Sequence, residues 1–92
     1  IMKNLFIRDS GKCQYCDINL QIYSCTIDHV VPKSRGGKHE WTNVVLACSK
    51  CNQKKGSRLV SECSMSLKNQ PSEPNINDRD NTNIVSKIGR VS

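Results

Sequence analysis

Aromatic side chains are nearly missing: one Trp, one Phe and two Tyr serve all 92 residues. A chain this short forms one domain at most. Such a chain buries a small core with thin aromatic packing, and chains of this size often need a staple of metal or disulfides. Long apolar runs are also lacking, so nothing in the sequence could cross a membrane as a helix. No secretory signal is visible, although a chain starting Ile1-Met2 is compatible with excision from something longer. The expectation is an intracellular, reducing compartment, where paired cysteines mean metal more often than disulfide.

Acids are scarce where bases are dense. Residues 1–70 hold eleven Lys/Arg against five Asp/Glu, and residues 71–92 hold three of each, so the net charge of +6 lies entirely in the first part. Between Lys33 and Arg58 stand Lys33, Arg35, Lys38, Lys50, Lys54, Lys55 and Arg58, with Glu40 the single acid. Such a stretch suits a polyanionic partner; a merely solvated basic surface is the competing reading.

Cysteine, by contrast, is plentiful. Cys13-x-x-Cys16 and Cys48-x-x-Cys51 are separated by 31 residues. Two residues between cysteines let both thiolates meet one tetrahedral ion from a tight turn, and two such knuckles complete a closed four-cysteine zinc site. Disulfides or free thiols are the alternatives. With every coordination position taken by sulfur, this zinc would be structural. Cys25 and Cys63 are left over and read as a small buried residue and an incidental thiol.

The spacing of Ile1, Leu5 and Phe6 predicts a short helix that Gly11 could end. "YSCTIDHVV" and "TNVVLAC" read as strands, with Pro32 and the loop "KSRGGK" between them. "CSKCNQKK" reads as a helix capped by Ser49 and interrupted by Gly56. "SECSMSLK" could be a further helical piece. From Asn69 the chain turns polar and loses periodicity, so 1–70 reads as the domain and 71–92 as a polar, flexible tail. "IVSKIGRVS" could be a last short strand. The fold class is α+β.

Between the knuckles, Asp28-His29 ends one strand, Asn43 opens the next and Asn52 opens the helix. Asp28 and Asn52 offer a charged and a neutral oxygen, which suits Mg2+ or a similar ion. His29 is mostly neutral at pH 7 and can accept a proton. Those are the parts of metal-assisted phosphodiester hydrolysis. One difficulty is geometric, since neighbours on a strand point to opposite faces. Arg35 and Lys38 are candidates for phosphate contact as a group. His39 reads as an exposed loop histidine before a catalytic one, and Trp41 as packing beneath that loop.

The residues "CQYC", "TIDHVVPKSRGG", "TNVVLAC" and "CSKCNQKKG" resemble the HNH endonuclease family, with its ββα-metal core, zinc knuckles and flanking helices. The resemblance implies a DNA endonuclease in which His29 is the general base, Asp28 and Asn52 ligate a catalytic Mg2+ or Mn2+, and Asn43 holds the loop that orients His29. It also implies zinc at Cys13, Cys16, Cys48 and Cys51. Lys55 matches a lysine common in the family, and Lys33, Arg35, Lys38, Lys54, Lys55 and Arg58 are the expected DNA contacts. The rival readings are a non-catalytic zinc-binding nucleic-acid-binding module and a zinc scaffold for a protein partner whose identity the sequence does not give.

Overall fold

The computed structural model describes residues 2–74. In chain order these form helix α1 (Met2–Arg8), strand β1 (Thr26–His29), a 3-10 turn (Lys33–Arg35), strand β2 (Val44–Ala47), helix α2 (Ser49–Lys55) and a second 3-10 turn (Val60–Glu62). The strands pair antiparallel, with Thr26 opposite Ala47 and His29 opposite Val44. This is the expected α+β class. No helix among the described residues is long and apolar enough to cross a membrane.

Both faces of the two-stranded sheet are covered, which explains why every residue of β2 is buried. Val44 and Leu46 pack with Leu5 of α1, and Phe6, Ile27 and Trp41 lean on that cluster. Val45 and Ala47 point the other way, into a group with Cys13, Tyr15 and Cys48. A continuous apolar run such as "VVLA" is what a strand buried on both sides requires. Trp41 thus packs as expected, with the Arg8 guanidinium 5.9 Å from its ring centre.

The sequence missed the Arg8–Asp9 pair, which seals the edge of β2. Arg8 donates to the carbonyls of Trp41, Val44 and Ser72, and pairs with Asp9. Asp9 in turn accepts the Leu46 N–H at 2.8 Å. These side chains stand in for a third strand, satisfying backbone groups that burial would otherwise leave orphaned.

Several elements are shorter than their periodicity suggested. Helix α1 stops at Arg8; Gly11, at φ +65, follows in the turn and donates its N–H to Phe6 O. Tyr23 and Ser24 are drawn into a turn closed by Ser24 N–H to Gln21 O, so β1 begins only at Thr26. Helix α2 is capped by Cys48 rather than Ser49, because the Cys48 sulfur accepts the Cys51 N–H at 3.3 Å. In "SECSMSLK" only the turn Val60–Glu62 forms. Its serines favour local turns over a helix interior, and Lys68 donates its N–H to Gln14 O, tying this segment back to the first knuckle. The strand reading for "IVSKIGRVS" and most of the tail lie outside the described residues.

The loop between the strands closes tightly at Gly37. A Cβ there would sit 1.7 Å from Val31 O, a contact no side chain tolerates. Gly37→Ala should therefore destabilise the fold by about 1–3 kcal/mol or more through forced backbone movement, read as a lower midpoint in thermal or urea unfolding. An unchanged midpoint would show the loop to be soft.

Candidate active site

The four knuckle thiols converge. Their sulfur atoms all lie within 4.8 Å of one another, and no other set of three or more His, Cys, Asp or Glu does so among the described residues. Cys16 Sγ and Cys48 Sγ are 3.8 Å apart. A tetrahedral ion with Zn–S bonds of about 2.3 Å separates its sulfurs by about 3.8 Å, whereas a disulfide would need about 2.05 Å. The set therefore fits a zinc ion and not a pair of disulfides. Burial pushes the Cys13 thiol up, but the N–H groups of Cys16, Cys48 and Tyr15 outweigh it and bring the pKa down to about 7. At Cys13 these donors favour the thiolate that a metal needs, whereas burial and the neighbouring thiols push Cys51 up. Cys25 and Cys63 stand outside the cluster, donating to Ile22 O and Leu59 O.

A second constellation forms where β1 ends. An open cleft of about 300 Å³ is lined by Asp28, His29, Lys33 and Asn52, among others. Asp28 is buried on the face toward α2, and its Oδ2 accepts the Tyr15 hydroxyl at 2.5 Å. Lys55 Nζ approaches the same oxygen at 3.2 Å. Oδ1 accepts no hydrogen bond among the described residues. Asn52 donates its Nδ2 to Thr26 Oγ1 and Ile27 O, which leaves its Oδ1 unbonded there too. One free oxygen on each of two residues lining the same cleft is a donor set that a hard divalent ion accepts.

His29 reaches this cleft because β1 stops with it. Val30 and Val31 bend away, and Asn43 clamps the bend. Its Oδ1 accepts the Val31 N–H at 2.9 Å, and its Nδ2 donates to Val31 O and Lys38 O. The difficulty of two strand neighbours serving one site thus resolves at the strand's end. Burial lowers the His29 pKa from its ordinary value, helped by the charge of Lys33 and by His39 and Lys55, against the opposing pull of Asp28. The imidazole is thereby kept neutral and able to accept a proton at neutral pH.

Two participants were not assigned from sequence. His39 Nδ1 lies 2.9 Å from His29 Nε2, so this loop histidine is exposed yet engaged. Tyr15 was hidden inside a metal-binding motif that fully explained its neighbours.

The basic residues divide. Lys55 does not reach the surface: it is 0% exposed, and its Nζ donates to His29 O at 2.8 Å while pairing with Asp28. The expectation that Lys55 contacts DNA is thus corrected, because a buried charge must be met internally. Lys33, Lys38 and Lys54 are exposed. Arg35 pairs with Glu62, holding that carboxyl down to about 2, and Arg58 donates to the Lys54 and Lys55 carbonyls. Those two arginines are exposed but already partnered.

Residues 13–58 match the family described as HNH endonuclease. The chain is 33% identical over 51 residues to the CRISPR-associated endonuclease Cas9 of Corynebacterium diphtheriae, covering 54% of this chain and 5% of that protein. It is 33% identical over 46 residues to Cas9 of Actinomyces naeslundii, covering 49% and 4%. The crystal structure of the Type II-C Cas9 enzyme from Actinomyces naeslundii is similar in fold, with a TM-score of 0.60 at 24% identity over 66% of this chain and 7% of that one. The chain thus spans a small fraction of the length of these relatives.

The two lysines of α2 should separate. Lys55→Met leaves the Asp28 carboxylate buried without its cation, and breaking a buried pair costs about 3–5 kcal/mol. Lys54→Met should change stability by less than about 0.5 kcal/mol. Urea unfolding of both variants checks this; equal losses would show that the Lys55 charge is not what matters.

Proposed function

The chain belongs to the HNH endonuclease family, and we propose that it hydrolyses DNA phosphodiester bonds with His29 as general base and a Mg2+ or Mn2+ ion on Asp28 and Asn52. The observation that carries this reading is the cleft at the end of β1, lined by Asp28, His29, Lys33 and Asn52, in which Asp28 Oδ1 and Asn52 Oδ1 accept no hydrogen bond among the described residues. In this reading His29 anchors its ring through Nε2 to His39, which leaves Nδ1 to take the proton of the attacking water. Asn43 fixes the loop that carries His39, and Lys55 ties the His29 carbonyl to α2. Lys33, Lys38 and Lys54, with Arg35 and Arg58 at the rim, hold the DNA backbone in register. A divalent ion bound at Asp28 and Asn52 supplies positive charge against the phosphate and the leaving 3′ oxygen. By family resemblance the products carry 5′-phosphate and 3′-hydroxyl ends. Zinc on Cys13, Cys16, Cys48 and Cys51 is the staple, and residues 1–70 are the catalytic unit.

Elemental analysis of protein purified without added metal should find about one zinc per chain. Stripping it with a strong chelator should unfold the domain, since structural zinc contributes its binding energy to folding. A metal-free chain with unchanged thermal stability would contradict the staple.

His29→Ala should slow plasmid nicking by about 10²–10⁴. Zinc content and DNA affinity at one fixed salt concentration should stay as they were, because His29 ligates no zinc and carries little of the basic surface. Cutting at the wild-type rate would remove His29 as the base. DNA binding by the wild type without cutting, under any divalent ion, would favour a non-catalytic zinc-binding nucleic-acid module.

A further inference from the structure

Tyr15 occupies an unusual place. It sits between the thiol ligands Cys13 and Cys16, yet its hydroxyl leaves the knuckle and donates to Asp28 Oδ2. Both partners are buried, at 8% and 5% exposure. The Tyr15 ring is gripped by the cluster that also contains Cys13, Val45, Ala47 and Cys48. Its packing thus includes two of the four knuckle cysteines. Lys55 approaches the same oxygen and also serves the His29 carbonyl, so it supplies charge to the region as well as to the carboxylate. The Tyr15 hydroxyl has Asp28 as its sole partner among the described hydrogen bonds and supplies direction.

We propose that Tyr15 is a positioning residue for the divalent ion: from within the first zinc knuckle it pins Asp28 Oδ2, presents Oδ1 alone to the cleft, and so couples the four-thiol cluster to ion affinity. The inference rests on the reading of Asp28 as an ion ligand. A carboxylate with one oxygen pinned binds an ion through the other and loses no rotational freedom on doing so. Hydrogen-bond donors to ligating carboxylates set affinity in this manner, and removing one typically costs about 10–100-fold.

The test uses the zinc-loaded chain and Mn2+, with free ion followed by electron paramagnetic resonance. Tyr15→Phe keeps the ring and removes the hydroxyl. Its Mn2+ affinity should fall by about 10–100-fold, while zinc content and the unfolding midpoint stay close to wild type. A purely structural role would do the reverse, lowering the midpoint and leaving the folded fraction's affinity unchanged; that result overturns the proposal. Asp28→Asn separates the two levels of the argument. If it leaves Mn2+ affinity unchanged, the reading of Asp28 falls, and this inference with it. If it weakens Mn2+ while Tyr15→Phe does not, the coupling alone falls. Should Tyr15→Phe fail to retain zinc, the wild type decides: in a Mg2+ titration followed by NMR, the Tyr15 ring signals should move with the same midpoint as the Asp28 signals. Stationary Tyr15 signals overturn the proposal.

Discussion

Four sulfur atoms drawn within 4.8 Å of one another set the terms for the rest of the molecule. The two Cys-x-x-Cys turns lie at opposite ends of a 31-residue excursion, and that excursion contains the sheet and the loop carrying His39. Closing it brings Cys48, the cap of α2, against the turn that follows α1. Helix α2 then has no choice of angle, and Asn52, at the end of its first turn, faces β1, where it bonds Thr26 and Ile27. The apolar clusters are too small to impose this alone: the fully buried side chains are a few aliphatics, a cysteine and a lysine. A metal held by these four thiols would replace the packing that a larger core provides.

Burial of charge is the second organising constraint. A charge taken out of water costs several kcal/mol unless it is paired and fully hydrogen-bonded. Two such pairs are buried among the described residues, and each serves a positional end. Arg8 and Asp9 hold the free edge of β2 through backbone groups. Lys55 and Asp28 do the equivalent for β1, with the lysine also reaching the His29 carbonyl. A hydrophobic substitute of equal volume would fill the space in either place. It could not specify which oxygen of Asp28 is occupied, nor where the backbone of His29 lies.

The sequence made the knuckles readable because their spacing encodes the geometry locally: two intervening residues are what one turn around an ion needs. The placing of His29, Asp28, Asn43 and Asn52 was readable for a related reason, since each sits in or beside an element whose type is clear from its pattern. Boundaries themselves were less so. Val30 and Val31 look like strand, yet Asn43 captures Val31, and a tertiary hydrogen bond overrides β-propensity. Lys55 looked like its neighbour Lys54, because position on a helix does not reveal which face a small sheet will cover. Tyr15 and His39 were hidden for a different reason. Their partners, Asp28 and His29, are 13 and 10 residues distant, and no local pattern marks a contact made through space.

The alternation of side chains along a strand forbids Asp28 and His29 from sharing a face, so a site that needs both can be built only where a strand ends. The chain ends β1 by force. Asn43 takes both the N–H and the carbonyl of Val31, groups that a continuing ladder would have used for strand pairing. Gly37 lies so close to Val31 O that any side chain would push the loop open. The Asn43 amide also reaches Lys38 O, one residue before His39. One asparagine therefore terminates the strand, turns His29 into the cleft and sets the loop from which His39 meets it. The same pleat that separates the two residues gives them separate supports. Asp28 points into the knuckle face, where Tyr15 and Lys55 fix it, and His29 emerges at the strand's end beside the loop, where His39 does. Asp28 and His29 are thus held by different parts of the structure, and they line one cleft because β1 stops at residue 29.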